Sequence, residues 1–200
     1  MNSMMSPASS NATDDSRDDG FDLVRRELIV YACPTGDLAH QLACYFERTR
    51  SAYGPNAAHR YPAHITLTGF FHDDVRSIPA YTGWLQAALR RAARPGQIQI
   101  EGMMLELNFH GLLIQSPWLK QMMADFASAA HSLTRSDALR LKDWLHLSLA
   151  YDFPPQRHLP LKALARETLD LQAAVGWEMR FYERFGKDEW RCHSIWPLID

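Results

Sequence analysis

Apolar positions along this chain come in short blocks whose period switches between two and about 3.6, the spacings of strands and helices. Residues 27–33 (ELIVYAC) form a β-branched apolar run closed by Pro34-Thr35-Gly36, a strand followed by a turn. Residues 37–51 carry Leu38, Leu42 and Phe46 at helical spacing and stop at Gly54-Pro55-Asn56. A second strand is expected over 61–71. A helix over 77–94 follows, with Ser77 at its N-cap, and Pro95-Gly96 ends it. Residues 97–108 and 110–115 read as a hairpin. Ser116-Pro117 then supplies a capping hydroxyl and a first-turn proline for a helix whose buried side is Leu119, Met122, Met123, Phe126, Ala130 and Leu133. Residues 144–153 predict a strand stopped by Pro154-Pro155, 161–171 a helix, and 176–182 with 190–198 a closing hairpin. The expected order is therefore β-α-β-α-β-β-α-β-α-β-β. Strands paired without an intervening helix argue against a doubly wound parallel sheet and for an α+β fold.

Residues 1–20 stand apart. They are rich in Ser, Asn and Asp, offer almost nothing to bury and carry a net charge of −3, so they are read as a disordered acidic tail. Residues 21–200, read as one domain, carry a net +1, so the overall −2 belongs mostly to the tail. A body this close to neutral excludes the long basic footprint of a protein that coats nucleic acid. Three cysteines, none in a CxxC, argue against a disulfide framework, and no apolar run reaches membrane-spanning length. A cytoplasmic monomer with no membrane contact and no protein partner is expected. There is no glycine-rich nucleotide loop.

Nine histidines remain to be explained, and two share a context. Pro62-Ala63-His64-Ile65-Thr66-Leu67 and Trp144-Leu145-His146-Leu147-Ser148-Leu149 both read His-aliphatic-hydroxyl-Leu, 82 residues apart, and both fall within expected strands. Strand parity turns His64 with Thr66, and His146 with Ser148, to one face and the aliphatic residues to the other. In-line displacement at phosphorus needs a base on the attacking oxygen, an acid on the leaving oxygen and donors to the non-bridging oxygens. Two imidazoles and two hydroxyls facing one cleft supply all of these near neutral pH.

This paired signature resembles the two-histidine (2H) phosphoesterase superfamily, which includes bacterial 2′-5′ RNA ligase-like proteins and 2′,3′-cyclic nucleotide phosphodiesterases. The likeness extends over roughly residues 28–198 and includes Pro62 and the ending Trp196-Pro197-Leu198. It implies a bilobal α+β fold, with two antiparallel sheets flanking a central cleft and helices outside. It also implies catalysis by His64 and His146, phosphate binding by Thr66 and Ser148, and neither metal nor cofactor. The substrate would be a small nucleotide or RNA end with a cyclic or 2′-linked phosphate. The resemblance further suggests a substrate contact from Tyr151, although strict alternation from His146 turns that residue toward the core.

His59, His64 and His72, or Cys192 with His193, lack a compact zinc-ligand spacing. The remaining seven histidines are read as surface or rim. Tyr61, Phe70 and Phe71 could stack on a base, but such residues are more often core or rim, as are the tryptophans. Thr68 is read as plain strand structure and Arg60 as a solvated residue. The activity the resemblance implies is hydrolysis of a 2′,3′-cyclic phosphate, on a nucleotide, an ADP-ribose cyclic phosphate or an RNA end. The alternatives are a non-catalytic binder of nucleotides or RNA ends, and a 2′-5′ RNA ligase or RNA-processing activity in the same cleft.

Overall fold

The computed structural model describes residues 24–92, 96–186 and 189–198. The acidic tail and the end of the expected 77–94 helix lie outside those residues. Among the described residues, eight strands and four α-helices follow the expected order: β1 (Arg25–Thr35), α1 (Asp37–Tyr53), β2 (Ile65–Thr66), β3 (Phe71–Asp74), α2 (Ile78–Arg91), β4 (Gln99–Leu105), β5 (Phe109–Gln115), α3 (Pro117–Ala129), β6 (His146–Tyr151), α4 (His158–Thr168), β7 (Gly176–Arg184) and β8 (Trp190–Pro197). The fold is α+β.

The expected pair of sheets is corrected to one antiparallel sheet in the order β4-β5-β6-β2-β1-β7-β8, with β3 also on β1. Two halves of that sheet meet through the short β2–β6 pairing at Ile65↔Leu147. The single expected strand over 61–71 is broken into β2 and β3. Thr68 causes the break: its Oγ1 accepts the Val30 amide at 3.1 Å, taking the place of a backbone partner. Thr68 is fully buried and structural, as its strand context suggested.

Parity divides the sheet into two faces. Leu28, Val30 and Ala32 of β1 join Ile65, Leu67, Leu147 and Leu149 in the main core, under helices that pack as α1 on α4 and α2 on α3. Ile29, Tyr31 and Cys33 form a smaller cluster with Tyr182, Phe70 and Trp190 on the opposite face. Helix boundaries differ locally from the sequence reading. Ser77 does not cap α2: a 3₁₀ turn (Val75–Ser77) capped by Asp74 precedes the helix, and the Ser77 hydroxyl goes to Asp73 and Thr134. Ser116 does cap α3, accepting the Leu119 amide at 3.2 Å. That helix ends at Ala129, so Leu133 is fully exposed rather than part of its buried side. No helix among the described residues is long and apolar enough to cross a membrane.

Candidate active site

On the face opposite the helices lies a cleft of about 770 Å³ whose walls include His64, Thr66, His146, Ser148 and Tyr151. Both motifs therefore reach one cavity. The antiparallel register at Ile65↔Leu147 sets His64 opposite Ser148 and Thr66 opposite His146. The two imidazoles occupy diagonal corners of this four-residue patch, about 7–8 Å apart at the backbone. Each hydroxyl sits beside one histidine on its own strand and faces the other across the pair.

The two histidines are held alike. His64 lies on Tyr31, with ring centroids 3.8 Å apart, and meets Tyr61 edge-on at 5.8 Å. His146 lies on Trp144 at 4.0 Å and meets Phe109 edge-on at 5.3 Å. Gly111 makes the second arrangement possible. A Cβ there would stand 2.6 Å from the Phe109 ring and 2.9 Å from the Leu147 carbonyl, so only glycine lets that ring fold over β5 toward His146.

Their protonation differs. His64 Nδ1 donates to the Pro62 carbonyl at 2.7 Å, which leaves Nε2 with its lone pair facing the Thr66 hydroxyl at 3.1 Å. Burial lowers the His64 pKa to about 4; the Pro62 carbonyl opposes that shift and the charge of His146 adds to it. His146 is also lowered from its ordinary value, by burial first and by Lys142, while the Trp144 carbonyl raises it. Its Nδ1 is buried and meets no hydrogen-bond partner of good geometry among the described residues.

Tyr151 lines the cleft despite the parity argument, because β6 carries a bulge. Gly111 pairs with Ser148 and His110 with Ala150, so Leu149 is an extra residue. Leu149 and Ala150 are both fully buried, and the alternation restarts with Tyr151 facing the cleft. Of the other residues weighed, Tyr61 and Phe70 line the cleft and Trp144 stands half-exposed on its rim, whereas Phe71 is core. Arg60 lies in a neighbouring depression with His59 and Asp152. His59 is bound to Asn56 and Thr49, His72 to Asp137, and His193 to Glu183. No three His, Cys, Asp or Glu among the described residues converge as metal ligands. His110 is not surface or rim: it is fully buried, against Phe153 and 3.1 Å from His158.

Sequence reasoning missed Tyr31, Phe109, Arg140 and Lys142, all on the cleft wall. The two cations belong to the irregular segment 130–145 between α3 and β6. That segment is fastened residue by residue to 67–74. Thr134 donates to Asp73 at 2.5 Å, the Ser136 amide to the His72 carbonyl at 3.0 Å, the Gly69 amide to the Arg140 carbonyl at 2.7 Å and the Lys142 amide to the Leu67 carbonyl at 3.3 Å. The sequence held little signal for it: between the expected helix, read to Leu133, and the strand expected from Trp144 only ten residues remain, short of the about 12–15 at which structureless connections in compact domains are often functional. Among the described residues, the charged side chains lining the cleft besides the histidines are both cationic, which suits an anion.

No family model matches the chain. It is 30% identical over 197 residues to the ecdysteroid-phosphate phosphatase of Drosophila melanogaster, a match covering 80% of this chain and 26% of that protein. It is also 30% identical over 172 residues to human ubiquitin-associated and SH3 domain-containing protein B, covering 82% of this chain and 26% of that one. The chain thus spans about a quarter of these relatives. Among solved structures, E. coli LigT in its apo form aligns over 88% of this chain and 99% of its own, with 17% identity and a TM-score of 0.49.

Proposed function

We infer that this chain is a two-histidine phosphoesterase, and that it hydrolyses 2′,3′-cyclic phosphates without a metal ion. One observation carries the reading: two imidazoles at opposite corners of a patch whose other corners are hydroxyls, in a cleft whose further charges are positive. The word phosphatase in the Drosophila relative's name agrees with a phosphate-ester substrate at the coarse level.

In this reading His64 is the base. Its proton sits on Nδ1, against Pro62, and its low pKa keeps Nε2 free to take a proton from water as that water attacks phosphorus. His146, diagonally across, protonates the departing ribose oxygen. Thr66 and Ser148 donate to the non-bridging oxygens, and Arg140 and Lys142 offset the charge that develops there. The bound anion favours the imidazolium of His146, which burial alone disfavours. Trp144, half-exposed and tilted 31° to the His146 ring, offers its outer face for the base to stack on.

The test is turnover of a 2′,3′-cyclic nucleotide by the purified chain in excess EDTA. Hydrolysis to one monophosphate isomer at a rate unchanged by EDTA is expected. An absolute need for added divalent cation would overturn the metal-free reading, and tight binding without turnover would favour a binding protein.

A further inference from the structure

The two motifs differ at the residue two places before each histidine, which is Pro62 in the first and Trp144 in the second. Pro62 serves His64 through its carbonyl, which takes the Nδ1 proton at 2.7 Å. Trp144 serves His146 through its side chain. Both side chains turn to the cleft, with Leu145 buried between them. The indole and imidazole rings lie 4.0 Å apart, tilted by 31°. Phe109 closes the third side, 5.6 Å from Trp144 and 5.3 Å from His146. A proton on His146 finds no carboxylate to pair with, for none lines the cleft among the described residues. Asp143, beside Trp144 in sequence, lines a separate depression with Leu119 and Met123. The charged groups that share the cleft with His146 are Lys142 and Arg140 of the connecting segment, with His64 of β2 as a further potential cation. The remaining titratable side chains on that wall are the phenols of Tyr31, Tyr61 and Tyr151. Burial and Lys142 both oppose a charge on His146. What touches its ring instead is the indole face, and the negative face of an aromatic ring attracts a cation, most strongly for tryptophan.

We propose that Trp144 is a positioning residue for the proposed acid: its inner face holds the imidazolium of His146 and favours the protonated ring, while its outer face stays open to the base. The inference rests on the reading of His146 as acid. The sign of the effect separates it from simple shielding. A residue that only kept water from His146 would hold the imidazole neutral, and its removal would let water in and favour the charge. Removal of a face that attracts the imidazolium does the reverse.

The His146 ring would be titrated by NMR in the wild type, Trp144→Phe and Trp144→Leu. In parallel, kcat/KM would be followed across pH on a 2′,3′-cyclic nucleotide and on methyl riboside 2,3-cyclic phosphate, which has no base. Trp144 is half-exposed, so both variants should keep the fold, and the same spectra report it. The His146 midpoint should drop by about one pH unit in Trp144→Leu and by less in Trp144→Phe. The basic limb of kcat/KM should move down with it on both substrates. On that limb Trp144→Leu should lose about tenfold in kcat/KM and recover on acidification. Loss of base stacking should raise KM for the nucleotide alone, at every pH. A midpoint that stays in place or rises toward 6.5 in folded Trp144→Leu would overturn the proposal. A lowered midpoint in chains that turn over neither substrate would refute the phosphodiesterase reading and leave the hold of Trp144 on the His146 proton standing.

Discussion

Replacing either His64 or His146 with alanine should lower kcat on a 2′,3′-cyclic nucleotide by roughly 10²–10⁴-fold, the usual contribution of a positioned acid or base. KM should change far less, because Thr66, Ser148, Arg140 and Lys142, the proposed phosphate contacts, still line the cleft. In the proposed mechanism the two histidines act in one displacement, so their losses should not add: the double variant should fall close to the worse single variant. Neither side chain carries the fold. Each is only part-buried and points into the cleft, while its neighbours Ile65 and Leu147 are fully buried. Unfolding curves of the variants should therefore overlay the wild type. Independent, multiplying losses would indicate two separate steps, and an active single variant would remove that histidine from the mechanism.

Asp73→Ala should destabilise the domain by about 3 kcal/mol, because it leaves buried donors without their acceptor. The Asp73 carboxylate is fully buried and accepts from Tyr81 at 2.7 Å, Thr134 at 2.5 Å, Ser77 at 3.3 Å and the Asp74 amide at 2.7 Å. Tm should drop by about 6–12 °C for a domain of this size. Loss of the Thr134 anchor also loosens the segment that brings Arg140 and Lys142 to the cleft, so KM should rise in the folded variant. Burial pushes the Asp73 carboxyl up, but hydrogen bonds from Ser132, Thr134, Tyr81 and the Asp74 amide together hold it below its ordinary value. Its contribution is thus fully present above the unfolded pKa and is lost as pH falls through the folded one. Wild-type stability should decline more than that of Asp73→Ala on acidification below about pH 4. A Tm within 2 °C of wild type would refute this role.

The elements legible in the sequence were those set by local patterning. β1 was legible from a continuous β-branched run, α3 from a capping serine and a proline, and the His-x-hydroxyl pairs from strand parity. What escaped depended on contacts between distant segments. Thr68 breaks a strand only because Val30 lies beside it, and Tyr151 faces the cleft only because β6 bulges against β5. Local residue patterns carry no trace of either partner. Arg140 and Lys142 were invisible for the same reason. Segment 130–145 has no period of its own and takes its course from bonds to 67–74. The joining of two expected sheets into one turns on the single pairing of Ile65 with Leu147.

The central claim, that His64 serves as base and His146 as acid, is tested most directly by the pH dependence of kcat/KM. The proposed mechanism requires His64 neutral and His146 protonated. The rate should therefore rise as pH passes upward through about 4, where His64 loses its proton, and fall as His146 deprotonates below its ordinary value of about 6.5. A bell on the acid side of neutrality, with the acid limb missing from the residual activity of His64→Ala, is the predicted result. A rate that climbs steadily through pH 8, or an acid limb that survives in His64→Ala, would contradict it.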